Sequence, residues 1–222
     1  MNLEIDKIKA VIFDMDGVIF DTEMVYLKVW SEVFEKYGYK MTKEIYASVL
    51  GTGRENVKKV FLHNFGNDLP IDIMYKEKDE ELAKAVEKGI PLKNGAYEML
   101  TYLRENNFKI ALATSAVKER AIKQLRQANI EVFFNAIVCR DEVKETKPNP
   151  EIFLKAAENL DINPKECIVI EDSSAGIKAA FNAGMTAFHV VDLKKADEKI
   201  LSSAYKSFNN LNEIRSELMS IK

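Results

Sequence analysis

Five short apolar runs limit the fold more than any other feature of this chain: Ile8 to Phe13, Lys109 to Ala113, Ala136 to Cys139, Cys167 to Ile170 and Thr186 to Val191. They are rich in β-branched residues and lack the polar alternation of a strand with one wet face. Such runs suit the interior of a parallel sheet covered on both sides. The segments between the later runs carry helical spacing. Asn94 to Asn106 puts Ala96, Met99, Leu100 and Leu103 on one face. Asn149 and Pro150 form a cap and first turn ahead of Ile152, Phe153, Ala156, Ala157 and Leu160. Ser174 to Ala183 is a helix of small residues ended by Gly184, and Leu211, Ile214, Leu218 and Ile221 mark a last amphipathic helix. Strands alternating with helices predict an α/β fold with a doubly wound parallel sheet.

One stretch interrupts the alternation. Between Gly17 and Pro91 no strand is expected, only helical faces: Leu27, Trp30, Phe34 and Tyr37, closed by Gly38; Val57, Val60, Phe61 and Phe65; and Ile73, Tyr75, Leu82 and Val86, ending at Gly89. The chain therefore reads as a core over 1–16 and 92–222 with a helical insertion over 17–91, punctuated by Pro70 and Pro91. At about 150 residues per domain, 222 residues make one domain with a large insertion, or two small ones. That length buries a core without disulfides or structural metal.

Charge excludes little but suggests no polyanion: 32 basic residues face 35 acidic ones, so no nucleic-acid partner is expected. The longest apolar runs, such as Ala10 to Phe13, fall far short of a membrane span. Met1 to Lys7 has neither the basic start nor the apolar core of a secretory signal. Cys139 and Cys167 lie in strand-like runs and are expected as buried, reduced thiols, which places the chain in the cytoplasm. Two histidines, His63 and His189, leave little room for histidine-based metal or triad chemistry.

The chemistry-bearing residues follow the strands. Asp14 and Asp16 come after the first run, and i and i+2 of a strand share a side, so both carboxylates would face one pocket before Gly17 turns the chain. Thr114 and Ser115 follow the second run and open a helix; Lys147 stands before Pro148, which biases it toward extended backbone; Glu171 and Asp172 follow the fourth run. Alone, these are an acidic turn, a helix cap, a surface lysine and another acidic turn. Together they lie on the carboxyl edge of the sheet, where open α/β sheets bind ligands. Four acids converging there would repel one another unless a cation sits among them, and an all-carboxylate set favours a hard ion such as Mg²⁺. Thr114, Ser115 and Lys147 make an anion site. A carboxylate nucleophile, a magnesium site and an anion cradle are the parts of phosphoryl transfer through an acyl phosphate.

At these residues the chain resembles the haloacid dehalogenase-like hydrolase superfamily. Asp14-Met15-Asp16-Gly17-Val18-Ile19-Phe20-Asp21-Thr22-Glu23 is similar to its first motif, and Thr114-Ser115, Lys147 and Glu171-Asp172-Ser173 match the second, third and fourth in order. Ala175-Gly176-Ile177-Lys178-Ala179-Ala180 and Ala183-Gly184-Met185 extend the resemblance to the branch of β-phosphoglucomutase and small-molecule phosphatases. The resemblance implies a Rossmann-like core with an inserted helical cap that closes over the site. Asp14 would attack phosphorus and become the aspartyl phosphate. Asp16 would protonate the leaving oxygen and then take a proton from water. Mg²⁺ would be held by Asp14, the Asp16 carbonyl and Asp172, with Glu171 as a ligand or one layer behind. Thr114, Ser115 and Lys147 would hold phosphoryl oxygens.

Candidate cap contacts are Tyr26, Arg54 after the glycines of Gly51-Thr52-Gly53, and Lys76 or Lys78. Lys76-Glu77-Lys78-Asp79-Glu80-Glu81 itself reads as an exposed helix face. The expected partner is a small phosphorylated metabolite, a sugar phosphate first, acted on by a monomer. Dehalogenases and phosphonate hydrolases of the superfamily generally lack the second acid that Asp16 supplies. The alternative is a sugar-phosphate mutase, in whose family a histidine aligns with Tyr26; the tyrosine tilts the choice toward hydrolysis.

Overall fold

The apolar runs form the middle of one parallel sheet. A computed structural model describes residues 7–50, 52–193 and 198–220. The signal-peptide reading of Met1 to Asp6, the glycine at position 51 and the last stripe residue, Ile221, lie outside the described residues. The strands are β1 (Ala10–Phe13), β2 (Lys109–Ala113), β3 (Ala136–Val138), β4 (Cys167–Glu171), β5 (Thr186–Val190) and β6 (Lys206–Phe208). Their spatial order is β3-β2-β1-β4-β5-β6, all parallel. β1 is central and wholly buried because nothing in Ala-Val-Ile-Phe needs water. It pairs with Lys109–Leu112 on one side and Cys167–Ile170 on the other. β6 escaped the sequence reading, since only Phe208 of its three residues is apolar. It forms by completing the edge of β5, where its Ser207 hydroxyl lies 2.7 Å from His189 Nδ1.

The helices are α1 (Thr22–Lys36), α2 (Lys43–Val49), α3 (Arg54–Phe65), α4 (Ile71–Lys88), α5 (Ala96–Glu105), α6 (Lys118–Gln127), α7 (Glu151–Leu160), α8 (Ser174–Asn182), α9 (Glu198–Ser203) and α10 (Leu211–Ser220). Ile152, Phe153, Ala156 and Ala157 of α7 and Ile177, Ala179 and Ala180 of α8 pack on Ala10, Ile12, Ala111 and Val169 of the sheet. α5 packs with β2 and α10. Small residues on α8 let it lie close to the sheet. Among the described residues no helix is long and apolar enough to cross a membrane.

The chain divides into two compact units, Met1–Asp21 with Pro91–Lys222, and Thr22–Ile90. The first unit keeps the residues just after β1: Phe20 bridges both Asp16 and Leu92, the Asp21 amide donates to Pro91 O at 2.9 Å, and the Lys93 amide to Ile19 O at 2.8 Å. The two crossings into the helical unit thus run side by side.

The helical unit is built from α1 to α4 around aromatic rings. Trp30 meets Phe34, Phe61 and Tyr75 edge to face at 5.7, 5.3 and 5.0 Å, and Phe34 meets Phe61 at 5.2 Å. α2 was not anticipated, because seven residues are too few to show a helical period. Thr42 caps it, its hydroxyl accepting from the Ile45 amide at 3.3 Å, and Tyr46 and Val49 bury it. Two readings of α4 are corrected. Ile73 is 58% exposed rather than part of the buried face. Lys78 is 9% exposed rather than solvated. The buried stripe is Ile71, Met74, Tyr75 and Lys78, a run of i, i+3, i+4 and i+7, and that period carries the lysine inward. Its apolar stem is covered while its ammonium pairs with Asp79 and faces the rings of Trp30 and Tyr75 at 5.7 and 5.8 Å.

Phe61→Ala removes the ring shared by α1 and α3 and should cost about 3–5 kcal/mol. Trp30 is the sole tryptophan, so its fluorescence in a urea titration reads this unit and should show the midpoint falling.

Candidate active site

The strand order defines a switch point. From β1 the chain moves outward to β2 and β3, and from β4 outward in the other direction, so the crevice opens between the carboxyl ends of β1 and β4. Asp14 follows β1 there, its amide still in register and donating to Ile170 O at 3.0 Å. Glu171 ends β4 and Asp172 follows it.

Lys147 holds this edge together. Its ammonium lies 2.5 Å from Asp14 Oδ1, 2.8 Å from Glu171 Oε1 and 3.2 Å from Ala113 O at the end of β2. It is buried, with its charge 4.9 Å from the centre of the Phe153 ring. The other Glu171 oxygen accepts from the Ser173 amide and hydroxyl at 2.7 and 2.9 Å. Ser173 also caps α8, accepting from the Gly176 amide at 3.0 Å. Glu171 therefore presses on the first turn of α8, and a Cβ at Gly176 would stand 1.7 Å from its Oε1. Only glycine fits beneath that carboxylate.

Asp172 lies on the other side, against Gly17. That residue turns with φ +80°, and a Cβ on it would come within 2.5 Å of Asp172 Oδ2 and 3.3 Å of Asp192 Oδ2. Asp192 is tied to Lys93 at 2.6 Å, and Lys93 also reaches Asp21 at 3.3 Å. Neither Asp192 nor Lys93 was singled out from sequence. The signal for Asp192 was present, because it too follows an apolar run.

Carboxylate oxygens of Asp14, Glu171 and Asp172 lie within 4.8 Å of one another. Burial pushes the Asp14 carboxyl up to about 7; Lys147 opposes the rise, while Glu171 and Asp16 add to it. Asp172 is held well above the usual carboxylate range by burial, then by Glu171, Asp14 and Asp192. Glu171 is as deeply buried, but Lys147 and the two Ser173 hydrogen bonds outweigh that burial and bring it below its ordinary value. Burial also opposes the Lys147 charge, yet the two carboxylates win and raise it. One ammonium thus satisfies about one acid, and the oxygens of Asp14 and Asp172 remain short of positive charge. Three hard oxygen donors at this spacing fit a small divalent cation.

The anion side differs from expectation. Thr114 is buried at the end of β2, its amide donating to Val138 O at 3.0 Å and its hydroxyl accepting from the Ala116 amide at 3.0 Å. Ser115 is exposed. These two do not open a helix: residues 114–117 form a turn and α6 begins at Lys118. The Thr114 hydroxyl bonds two residues on, a local contact that competes with helix formation. Asp16 is not on the lysine. Its Oδ1 accepts from Arg120 of α6 at 2.5 Å, a partner the sequence reading missed.

The remaining candidates belong to the helical unit. Tyr26 is half-buried on α1. Arg54 starts α3 and lays its guanidinium 4.1 Å over the Tyr75 ring. Gly53 before it has φ −70°, which any residue adopts, so glycine freedom at that position is not what aims Arg54. Lys76 is exposed and Lys78 buried, as described.

Fold and site define a doubly wound hydrolase core built on an aspartate, with a helical insertion after the first strand. The family model for haloacid dehalogenase-like hydrolase matches residues 11–190, and the chain belongs to that family. A phosphorylated carbohydrates phosphatase from Thermotoga maritima is 32% identical over 88% of this chain and 91% of its own length. A β-phosphoglucomutase from Bacillus subtilis is 35% identical over 82% and 83%. The crystal structure of a hydrolase of the same superfamily from Deinococcus radiodurans, with phosphate and sodium bound, superposes with a TM-score of 0.83 over 97% of this chain and 96% of that one; at 24% identity the likeness is one of fold.

The raised carboxyls set a pH dependence. Asp14 and Asp172 bind protons in the folded state at pH values where the unfolded chain has lost them, so their contribution to stability is full below the ordinary carboxylate range and is lost as pH rises, for Asp14 by about pH 7. In chelator the melting temperature should fall from about pH 4 to about pH 7. A divalent cation should reduce that fall, and Asp14→Asn should flatten it; calorimetry across the range checks both.

Proposed function

We propose that this chain is a Mg²⁺-dependent phosphatase of small phosphorylated metabolites, sugar phosphates first, working through an aspartyl phosphate on Asp14. The observation that carries the reading is the placement of Asp14 at the switch point, bound to Lys147 and grouped with Asp172 and Glu171. Asp14 attacks phosphorus as the ester P–O bond breaks, and Asp16 gives its proton to the leaving oxygen. Asp16 then takes a proton from the water that attacks the phosphoaspartate, releasing inorganic phosphate and the Asp14 carboxylate. Lys147, Thr114 and Ser115 hold the phosphoryl oxygens.

Mg²⁺ would be held by Asp14, the Asp16 carbonyl and Asp172. Both Glu171 oxygens are already engaged by Lys147 and Ser173, which supports a place one layer behind. When bound, the ion supplies positive charge that offsets the acids and the incoming phosphate. Of the helical unit's candidates, Arg54 is exposed and keeps a guanidinium available for substrate hydroxyls or a second anion, and Tyr26 is the other choice. Lys78 is the weakest, since its ammonium is already placed among Asp79, Trp30 and Tyr75. The thiols of Cys139 and Cys167 are free and buried, which supports a reducing cytoplasm as the setting; a monomer is the proposed form.

The Thermotoga and Bacillus relatives are named for phosphorylated sugars, and the two names divide between hydrolysis and isomerisation. Tyr26 favours hydrolysis. A mutase must return its phosphoryl group to sugar before water takes it, and a neutral phenol at position 26 cannot supply the charge of an imidazolium.

With Mg²⁺, a panel of hexose phosphates should release inorganic phosphate, chelator should stop the release, and Asp14→Asn should lower it by more than about 10³-fold. Following phosphate and hexose phosphate isomers together, with and without a bisphosphate primer, decides the class. Stoichiometric isomerisation with little phosphate would replace the phosphatase by the mutase.

A further inference from the structure

The Asp16–Arg120 pair has no counterpart in the chemistry assigned so far. Arg120 is the third residue of α6, and its Nη2 donates to Asp16 Oδ1 at 2.5 Å in a charge-assisted hydrogen bond. The side chains are 37% and 32% exposed, and a pair so wetted contributes little to stability. The contact is instead informative about direction. Asp16 follows β1 after a bend at Met15, and its backbone is fixed by the bridge to Phe20, which by itself leaves the direction of the carboxylate to side-chain contacts. Arg120 sits on a helix, its backbone held by the α6 ladder, so it offers a rigid fork to a side chain on an irregular segment. Asp14 receives its orientation from Lys147; Asp16 receives none from that lysine.

We infer that Arg120 is a positioning residue: its guanidinium sets the carboxylate of Asp16 in the orientation from which it delivers a proton to the leaving oxygen and then accepts one from water. The inference rests on the phosphatase reading above, in which Asp16 is the acid and base. Losing the guanidinium leaves Asp16 present but without the contact that Arg120 makes to it, and misplacement of a reacting group by about 1 Å costs on the order of 100-fold.

The test uses two aryl esters with Mg²⁺. p-Nitrophenyl phosphate has a leaving group that needs no proton, whereas phenyl phosphate has one that does, and kcat/KM reads the chemistry up to that departure. Arg120→Met should lower kcat/KM for phenyl phosphate by about 10- to 100-fold and for p-nitrophenyl phosphate far less, with Arg120→Lys recovering part of the loss. Added to Asp16→Asn, Arg120→Met should have no further effect, because the group it aims is gone. Equal losses on both esters, or an undiminished effect in the Asp16→Asn background, would mean a structural role and overturn the inference. A faster phenyl phosphate reaction would mean that Arg120 restrains Asp16 instead, and a change confined to KM would make it a substrate contact; either overturns it. If the unmodified protein releases phosphate from neither ester and from none of the hexose phosphates, the phosphatase reading itself falls and the inference falls with it.

Discussion

The buried ammonium of Lys147 is the contact on which the site depends. It touches Asp14, Glu171 and Ala113 O, and so joins the ends of β1, β4 and β2 through one charge. Three acids gathered at a sheet edge would otherwise be forced apart or held protonated. The lysine is itself buried, and only the carboxylates make its charge tolerable there. Each side of the pair therefore requires the other. Removing Lys147 would strand two buried acids, and removing both acids would strand the lysine.

What Lys147 leaves unsatisfied is as important as what it satisfies. Glu171 obtains a complete set of partners from Lys147 and Ser173, while Asp14 and Asp172 stay short of positive charge. The unequal split follows from α8. Its cap residue binds Glu171, and Gly176 leaves the space that Glu171 fills. A helix that covers the sheet thus also decides which of the three clustered acids has both oxygens engaged by protein groups. On the opposite flank, Gly17 brings the backbone against Asp172 and Asp192, and Lys93 ties Asp192 to Asp21 next to the crossing into the helical unit.

The two units are held by different packing. The sheet is filled by aliphatic side chains and small helix residues, whereas the insertion is organised by edge-to-face rings around Trp30, with cations of Arg54 and Lys78 against Tyr75. Burial is the main reason that the Tyr75 hydroxyl is pushed up to about 12, so this residue remains a neutral phenol.

The sequence alone determined five of the six described strands, the existence of a helical insertion, and the placement of Asp14, Thr114 and Glu171-Asp172 at strand ends. It could do so because a strand buried on both faces must be continuously apolar, and the polar residue that ends such a run must lie at the sheet's edge. It could not show that Thr114 closes a turn rather than opening a helix, since the same hydroxyl serves either end. Nor could it show that Lys78 turns inward, because that depends on Ile71, Met74 and Tyr75 sharing its face against Trp30. β6 and α2 were too short to leave a period. Arg120 with Asp16 and Lys93 with Asp192, partners 104 and 99 residues apart in the chain, were decided only by tertiary structure. A charged residue's sequence neighbours say little about what it meets across a fold, and only the packing of α6 and the order of the sheet bring those charges within hydrogen-bond reach.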